Sequence, residues 1–253
     1  MTMLTSLTQL KLDQLLALDP NEVDWALSAE EIFYLWAVFN GSWFYDYQAL
    51  EQGRPGYHAQ LKSDFCSDGF FMSRAVLKYL NWRQIIAKQM VRLLEEDLRM
   101  VKPRPTNVCG IPEGAKLLGD EVAKILGLPT CDMIKDPVTG KLLLVSEIAP
   151  GGVVLKVEDF CSEGTGFKES TGLVYSAQPL AHVFSHEVVI LNRGGHSAIQ
   201  ACGKHFGIAA LVTRRVNSWD PKVCPLCKRG SRRIKPKATD ENWQIITTAQ
   251  KAA

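Results

Sequence analysis

Glu158 and Asp159 stand side by side at the end of the apolar run Val153-Val154-Leu155-Lys156-Val157, and Phe160-Cys161 then lead into Ser162-Glu163-Gly164-Thr165-Gly166. Adjacent carboxylates can accept hydrogen bonds from the vicinal hydroxyls of a ribose. The small-residue loop can offer backbone N–H groups, the Ser162 and Thr165 hydroxyls and a helix N-terminus to a phosphate. A ribose beside a phosphate describes a ribose 5-phosphate. An apolar run of this length predicts a buried strand, which would fix the acids at its carboxyl end, where open parallel sheets bind ligands.

A second loop, Cys109-Gly110-Ile111-Pro112-Glu113-Gly114-Ala115, follows a short apolar stretch and opens a helical pattern. Its glycines permit positive φ and close backbone approach, so it could cradle a second anion. Near the C-terminus, Cys224-Pro225-Leu226-Cys227 can present two thiolates to zinc. A structural site needs four ligands, and Cys202, His205 or a symmetry mate is the expected source of the rest; a tight packed turn is the alternative. From Arg214 to Lys237 nine Lys/Arg face one acid. Such a run could hold a nucleic-acid backbone, but a solvated tail is the commoner outcome.

The elements that must position these groups alternate along the chain. Strands are expected at Phe70–Met72, 106–110, 130–134, 142–145, 153–157, 188–191 and 208–212. Helices are expected from Asn81 to about Arg99, over 115–126, over 165–175 and from Ser197 to His205. This order predicts an α/β fold with a doubly wound parallel sheet. Before it, leucines at helical spacing between Leu7 and Leu18 stop at Asp19-Pro20, and Ser28-x-x-Glu31 reads as a capping box for a helix through Phe39.

At 253 residues, with 46% hydrophobic and 22% charged residues, the chain is a soluble globular protein that can bury a sizeable core. A net charge of +2 does not itself imply a polyanion partner. No apolar run approaches the ~20 residues of a membrane span, and the first twenty residues lack the pattern of a secretory signal. Seven cysteines, odd in number and scattered, suggest reduced thiols and a cytoplasmic setting.

The stretch from Val153 to Gly166 resembles the phosphoribosyl pyrophosphate signature of the type I phosphoribosyltransferases, a hydrophobic strand with two acids, two apolar residues and a Thr/Ser/Gly loop. Gly110, Ile111, Pro112, Glu113 and Gly114 resemble that family's pyrophosphate loop. Leu61-Lys62-Ser63 with Phe70-Phe71 resembles the hood of orotate phosphoribosyltransferase, and Leu191-Asn192-Arg193-Gly194 resembles the segment whose arginine faces the base. The chain departs from the pattern at Glu163, where a small or hydroxyl residue is usual, and at Asp64, where glycine is usual. It departs further across 133–141, where Lys135 matches the first lysine of the orotate enzymes' catalytic loop, Ile134 replaces its arginine and its histidine is missing.

The resemblance implies transfer of ribose 5-phosphate from phosphoribosyl pyrophosphate to a pyrimidine base, orotate first, with Mg²⁺ and in a homodimer. Glu158, Asp159 and Lys135 would be catalytic. Ser162, Glu163, Gly164, Thr165 and Gly166 would hold the 5-phosphate. The 110–114 loop would hold pyrophosphate with Lys62 adding charge, and Phe70 or Phe71 and Arg193 would recognise the base. The chain is expected to divide into a helical cap at 1–60, a transferase domain with its hood at 61–213 and a basic tail at 214–253. A regulator that binds phosphoribosyl pyrophosphate without turning it over, and an enzyme acting on a purine or another base, are the other readings.

Overall fold

The structure, a computed structural model, describes residues 6–251. In chain order its strands are β1 (Ser42–Phe44), β2 (Tyr57–Gln60), β3 (Cys66–Ser67), β4 (Gly69–Phe71), β5 (Asn107–Gly110), β6 (Met133–Lys135) and β7 (Leu142–Leu144). There follow β8 (Val153–Cys161), β9 (His182–Val183), β10 (His186–Asn192), β11 (Ala198–Ala201), β12 (Lys204–Thr213), β13 (Ser218–Trp219) and β14 (Arg232–Ile234). Two compact units emerge, each discontinuous in sequence. The first holds residues up to Leu35 with Val76–Arg215, and the second holds Trp36–Ala75 with the chain from Val216 onward.

The first unit is built on parallel strands in the order β5-β8-β10-β12. On the outer side of β5 the parallel pattern continues through a single bridge between Val108 and Thr130. The chain therefore leaves β5 toward one edge and leaves β8 toward the other. That reversal puts the switch point of the sheet between the carboxyl ends of β5 and β8, the position at which open sheets of this kind bind ligands.

Strand β8 is buried from Val153 to Val157 and so reads as a continuous apolar run, as strands covered on both faces do. The helix Thr165–Ala177 packs Phe167 and Val174 into one core with Cys109, Val154 and Val189, a cluster that contains no residue of the helices Leu80–Glu96 and Lys116–Leu126. Those two pack against each other and against β5, β8, β10 and β12. Helices thus cover both faces, and the doubly wound α/β architecture is present. Ser28 and Glu31 exchange the hydrogen bonds of a capping box ahead of the helix Ala29–Val38.

The second unit contains a four-stranded sheet ordered β13-β3-β2-β14 and a ribbon of β1 with β4. Its core gathers Trp43, Tyr45, Phe70, Cys66, Leu226, Trp243 and Ile246 from both halves of the unit.

Several expected elements take another form. The helix expected from Ser197 to His205 is instead an antiparallel hairpin of β11 and β12, turning at Cys202 and Gly203, both with positive φ. Along β11 exposed and buried residues alternate, the period of a strand. The strand expected at 130–134 is reduced to the Thr130 bridge, and Met133–Lys135 pairs with Leu142–Leu144 in a separate ribbon. The leucines between 7 and 18 divide between a 3-10 turn, Leu7–Gln9, and a short helix, Leu12–Ala17. Asn81 does not cap its helix. Tyr79 is the N-cap, while the Asn81 amide donates to the carbonyls of Leu15 and Leu18.

Candidate active site

Strand β8 runs on to Cys161, so Glu158 and Asp159 lie within it and not in the loop beyond. A strand turns successive side chains to opposite faces, and the two carboxylates diverge accordingly. Asp159 meets the loop after β5. A Cβ on Gly114 would collide with its carboxylate, so only glycine lets that loop close over the acid. Glu158 turns toward the helix Thr165–Ala177, where a Cβ on Gly166 would lie 2.7 Å from its Oε1. The loops after β5 and β8 therefore converge on the acidic pair at the switch point. Within the first loop the Pro112–Glu113 peptide is cis.

Behind the pair lies a buried charged cluster that sequence reasoning missed. Lys156 and Glu187 are both fully buried, on adjacent strands. The Lys156 ammonium donates to the Phe167 carbonyl at 2.8 Å, to Ser170 Oγ at 3.2 Å and to Thr171 Oγ1, and sits 3.4 Å from the centroid of the Phe167 ring. Acceptor atoms of Glu158, Cys161 and Glu187 lie within 4.8 Å of one another. Both Glu187 oxygens and Glu158 Oε2 are buried.

Burial first, and then the neighbouring Glu187 charge, raise the Glu158 carboxyl well above its ordinary 4.5. Burial likewise raises Glu187 and pushes Lys156 down to about 7. Two carboxyls this close in an apolar setting retain a proton between them. The two adjacent acids consequently differ in surroundings: Glu158 approaches Gly166 and the buried cluster, and Asp159 approaches Gly114 in the loop after β5. The signal available in the sequence was a charge in each of two apolar strand segments, Lys156 and Glu187.

The loop 162–164 leads directly into the helix Thr165–Ala177. Gly164 caps the helix Thr165–Ala177 with φ of 64°, and a Cβ there would strike Ile199. The first N–H groups of that helix have no intrahelical acceptor and are free to meet an anion. Glu163 turns outward, its side chain 76% exposed and 3.6 Å from His196 Nε2. Its charge is thereby removed from the loop interior, while its N–H stays in the loop.

Arg193 lies at the end of β10, where its guanidinium donates to Ser162 Oγ at 2.8 Å and sits 5.8 Å from the Phe160 ring. It is buried enough that desolvation lowers its pKa, an effect opposed by the charges of Asp159 and Glu158. This arginine ties Ser162 to the end of β10.

Lys135 ends β6, and the segment 136–141 closes a ribbon whose turn is held by Asp136 accepting from the N–H groups of Val138 and Thr139. A shallow cavity lined by residues 144–150 with Ala177 and Gln178, before the amino end of β8, holds none of the expected site residues.

In the second unit Lys62 is exposed at the tip of the β2–β3 hairpin. Phe71 is 1% exposed and edge-on to Phe44 at 5.3 Å, and Phe70 packs against Trp243 at 6.1 Å. Both rings are core residues here, each held by neighbouring aromatics.

Cys224 caps a short helical turn, Pro225–Lys228, and Cys227 lies within it. The expected companions are not the ones beside them. Cys202 and His205 belong to the β11–β12 hairpin of the first unit, and Cys202 is exposed. His58 and Cys66 stand there instead, and the four ligand atoms lie within 4.8 Å of one another.

No family model matches the chain. Among curated proteins it is similar to orotate phosphoribosyltransferase of Acidithiobacillus ferrooxidans, 29% identical over 181 residues that cover 71% of this chain and 87% of that protein. It is similar also to orotate phosphoribosyltransferase of Wolinella succinogenes, 29% identical over 197 residues, with 75% and 91% covered. A crystal structure of orotate phosphoribosyltransferase from Aeropyrum pernix aligns with a TM-score of 0.45 and 16% identity over 66% of this chain and 92% of that one. Over about three quarters of its length the chain is thus similar to curated proteins named orotate phosphoribosyltransferase.

Proposed function

We propose that this protein transfers the ribose 5-phosphate of phosphoribosyl pyrophosphate to a pyrimidine base, with orotate the favoured acceptor, and releases pyrophosphate. The observation that carries the proposal is the convergence of the Gly110–Gly114 loop on Asp159, with the helix N-terminus at Gly164–Gly166 beside it. In this reading the 5-phosphate lies against the N–H groups and hydroxyls of Ser162–Gly166, and Asp159 accepts from the ribose hydroxyls. Pyrophosphate occupies the 110–114 loop. Breaking the glycosidic bond to pyrophosphate leaves positive charge on the ribose ring. Asp159 is fixed near that charge before it develops, and such preorganised electrostatics lower the barrier.

Glu158 serves by holding the strand end in register through the buried cluster. Lys135 supplies charge to the leaving group, and Arg193 keeps Ser162 in place at the loop while its charge is available to a carboxylated base. Mg²⁺ fits this donor set, since it binds through one or two carboxylates with the substrate's phosphates, and Asp159 is the carboxylate at the mouth of the loop. The ion would neutralise the departing pyrophosphate. A homodimer, which the resemblance implies, is part of the same proposal.

Calorimetric titration with Mg²⁺ and phosphoribosyl pyrophosphate tests the pocket independently of turnover. Saturable binding that Asp159→Asn weakens at least tenfold is expected. Absence of binding in folded protein would reject the reading. Binding without any base-dependent turnover would identify a ligand-sensing relative in place of an enzyme.

A further inference from the structure

We propose that the second unit holds one structural zinc ion in a Cys₃His site formed by His58, Cys66, Cys224 and Cys227. The proposal stands apart from the transfer reaction and rests on geometry alone. His58 lies on β2 and Cys66 on β3. In the antiparallel register Gln60 faces Cys66, so His58 falls on the same face of the ribbon, one diagonal step away. Cys224 and Cys227 come from the other half of the unit, 161 residues beyond Cys66 in the case of Cys227. Cys66 Sγ is 3.8 Å from Cys227 Sγ, and His58 Nε2 is 3.7 Å from Cys224 Sγ and 3.4 Å from Cys227 Sγ.

These distances can be compared with a metal tetrahedron. With Zn–S of ~2.3 Å and Zn–N of ~2.0–2.1 Å, tetrahedral ligands stand about 3.8 Å apart for two sulfurs and about 3.5 Å apart for sulfur and nitrogen. The observed spacings match both edges. They are too long for a disulfide, whose sulfurs are ~2.05 Å apart.

The outer contacts fit as well. His58 Nδ1 lies 2.9 Å from Ser231 Oγ, and that hydroxyl donates to the Gly56 carbonyl at 3.4 Å. A partner on Nδ1 fixes the tautomer that leaves Nε2 free for a metal, the arrangement found around ligating histidines. His58, Cys66 and Cys224 are fully buried, which excludes water from the site. Arg233 pairs with His58 in the β14–β2 register, so a cation stands beside a centre whose three thiolates would leave it net negative.

The site has a defined mechanical effect. Each half of the unit supplies two ligands, so the ion would pin strands β2 and β3 to the turn at 224–227. The hairpin tip carrying Lys62 lies between His58 and Cys66 and would be fixed by the same bond.

The test uses the whole chain. Protein purified without chelators is expected to contain one zinc per chain by emission spectrometry. After exchange, Co²⁺ is expected to give thiolate charge-transfer absorption and the d–d bands of a tetrahedral site. Cys66→Ser should reduce bound zinc at least tenfold, whereas Cys202→Ser, at an exposed cysteine outside the cluster, should leave it at one. Removal of the ion should lower the unfolding midpoint by ~10 °C. Wild-type protein that takes up neither zinc nor cobalt, or that keeps its zinc in Cys66→Ser, would overturn the proposal. Because metal content is read without substrate, this result and the fate of the transferase reading remain separable.

Discussion

At the scale of single residues, the account turns on how one strand separates two neighbouring acids. Asp159 faces a glycine loop, and Glu158 faces a buried lysine and a second glutamate. Asp159→Asn is expected to lower kcat/KM by about 10²–10³, the cost of losing one well-placed electrostatic contact, with the circular dichroism spectrum unchanged. Glu158 and Glu187 give a different signature. Their carboxyls are raised above 4.5 in the folded protein, so above that pH the folded state holds protons that the unfolded state has released. Stability from these groups therefore falls as pH rises from about 4.5 toward their folded values. Denaturant unfolding between pH 5 and 7, below the range in which Lys156 (pushed down to about 7) contributes the opposite slope, should show that decline, and Glu187→Gln should flatten it; equal slopes in the two proteins would contradict the shared proton.

At the scale of elements, loops and strand ends make the site, and glycines set how closely they approach. Gly114→Ala should push the loop off Asp159, raising the KM for phosphoribosyl pyrophosphate at least tenfold while costing little stability, because the collision is confined to the loop. A steady-state assay beside a melting curve reads both. The same scale shows what the sequence could disclose. The central strand and the helix from Thr165 were legible, since a doubly covered strand is an unbroken apolar run and a small-residue loop opens the helix. Residues 197–205 were not, because Ala198-Ile199-Gln200-Ala201 carries too few residues to separate a period of two from one of 3.6. Its turn at Cys202-Gly203 declares itself only through backbone angles.

At the scale of the whole molecule, the chain divides into two units whose sequence segments interleave. No described helix is long and apolar enough to cross a membrane. The Cys-x-x-Cys pair was visible in the sequence, but its companions were not, since His58 and Cys66 lie more than 150 residues away and nothing local marks them as ligands. The aromatic pair at 70–71 shows the opposite case. Its spacing suits a ligand cover, yet Phe71 is 1% exposed and lies edge-on to Phe44. Phe71→Ala should destabilise the protein by about 3–5 kcal/mol in denaturant unfolding, as removal of a buried ring does. A loss below 1 kcal/mol with weakened base affinity would return that ring to the ligand.

The measurement that bears most directly on the transferase reading is pyrophosphate release from phosphoribosyl pyrophosphate with Mg²⁺, run with orotate against a panel of other bases. Release that depends on orotate and collapses in Asp159→Asn is the expected result. Release equally fast in Asp159→Asn, or none with any base from folded wild-type protein, would contradict it.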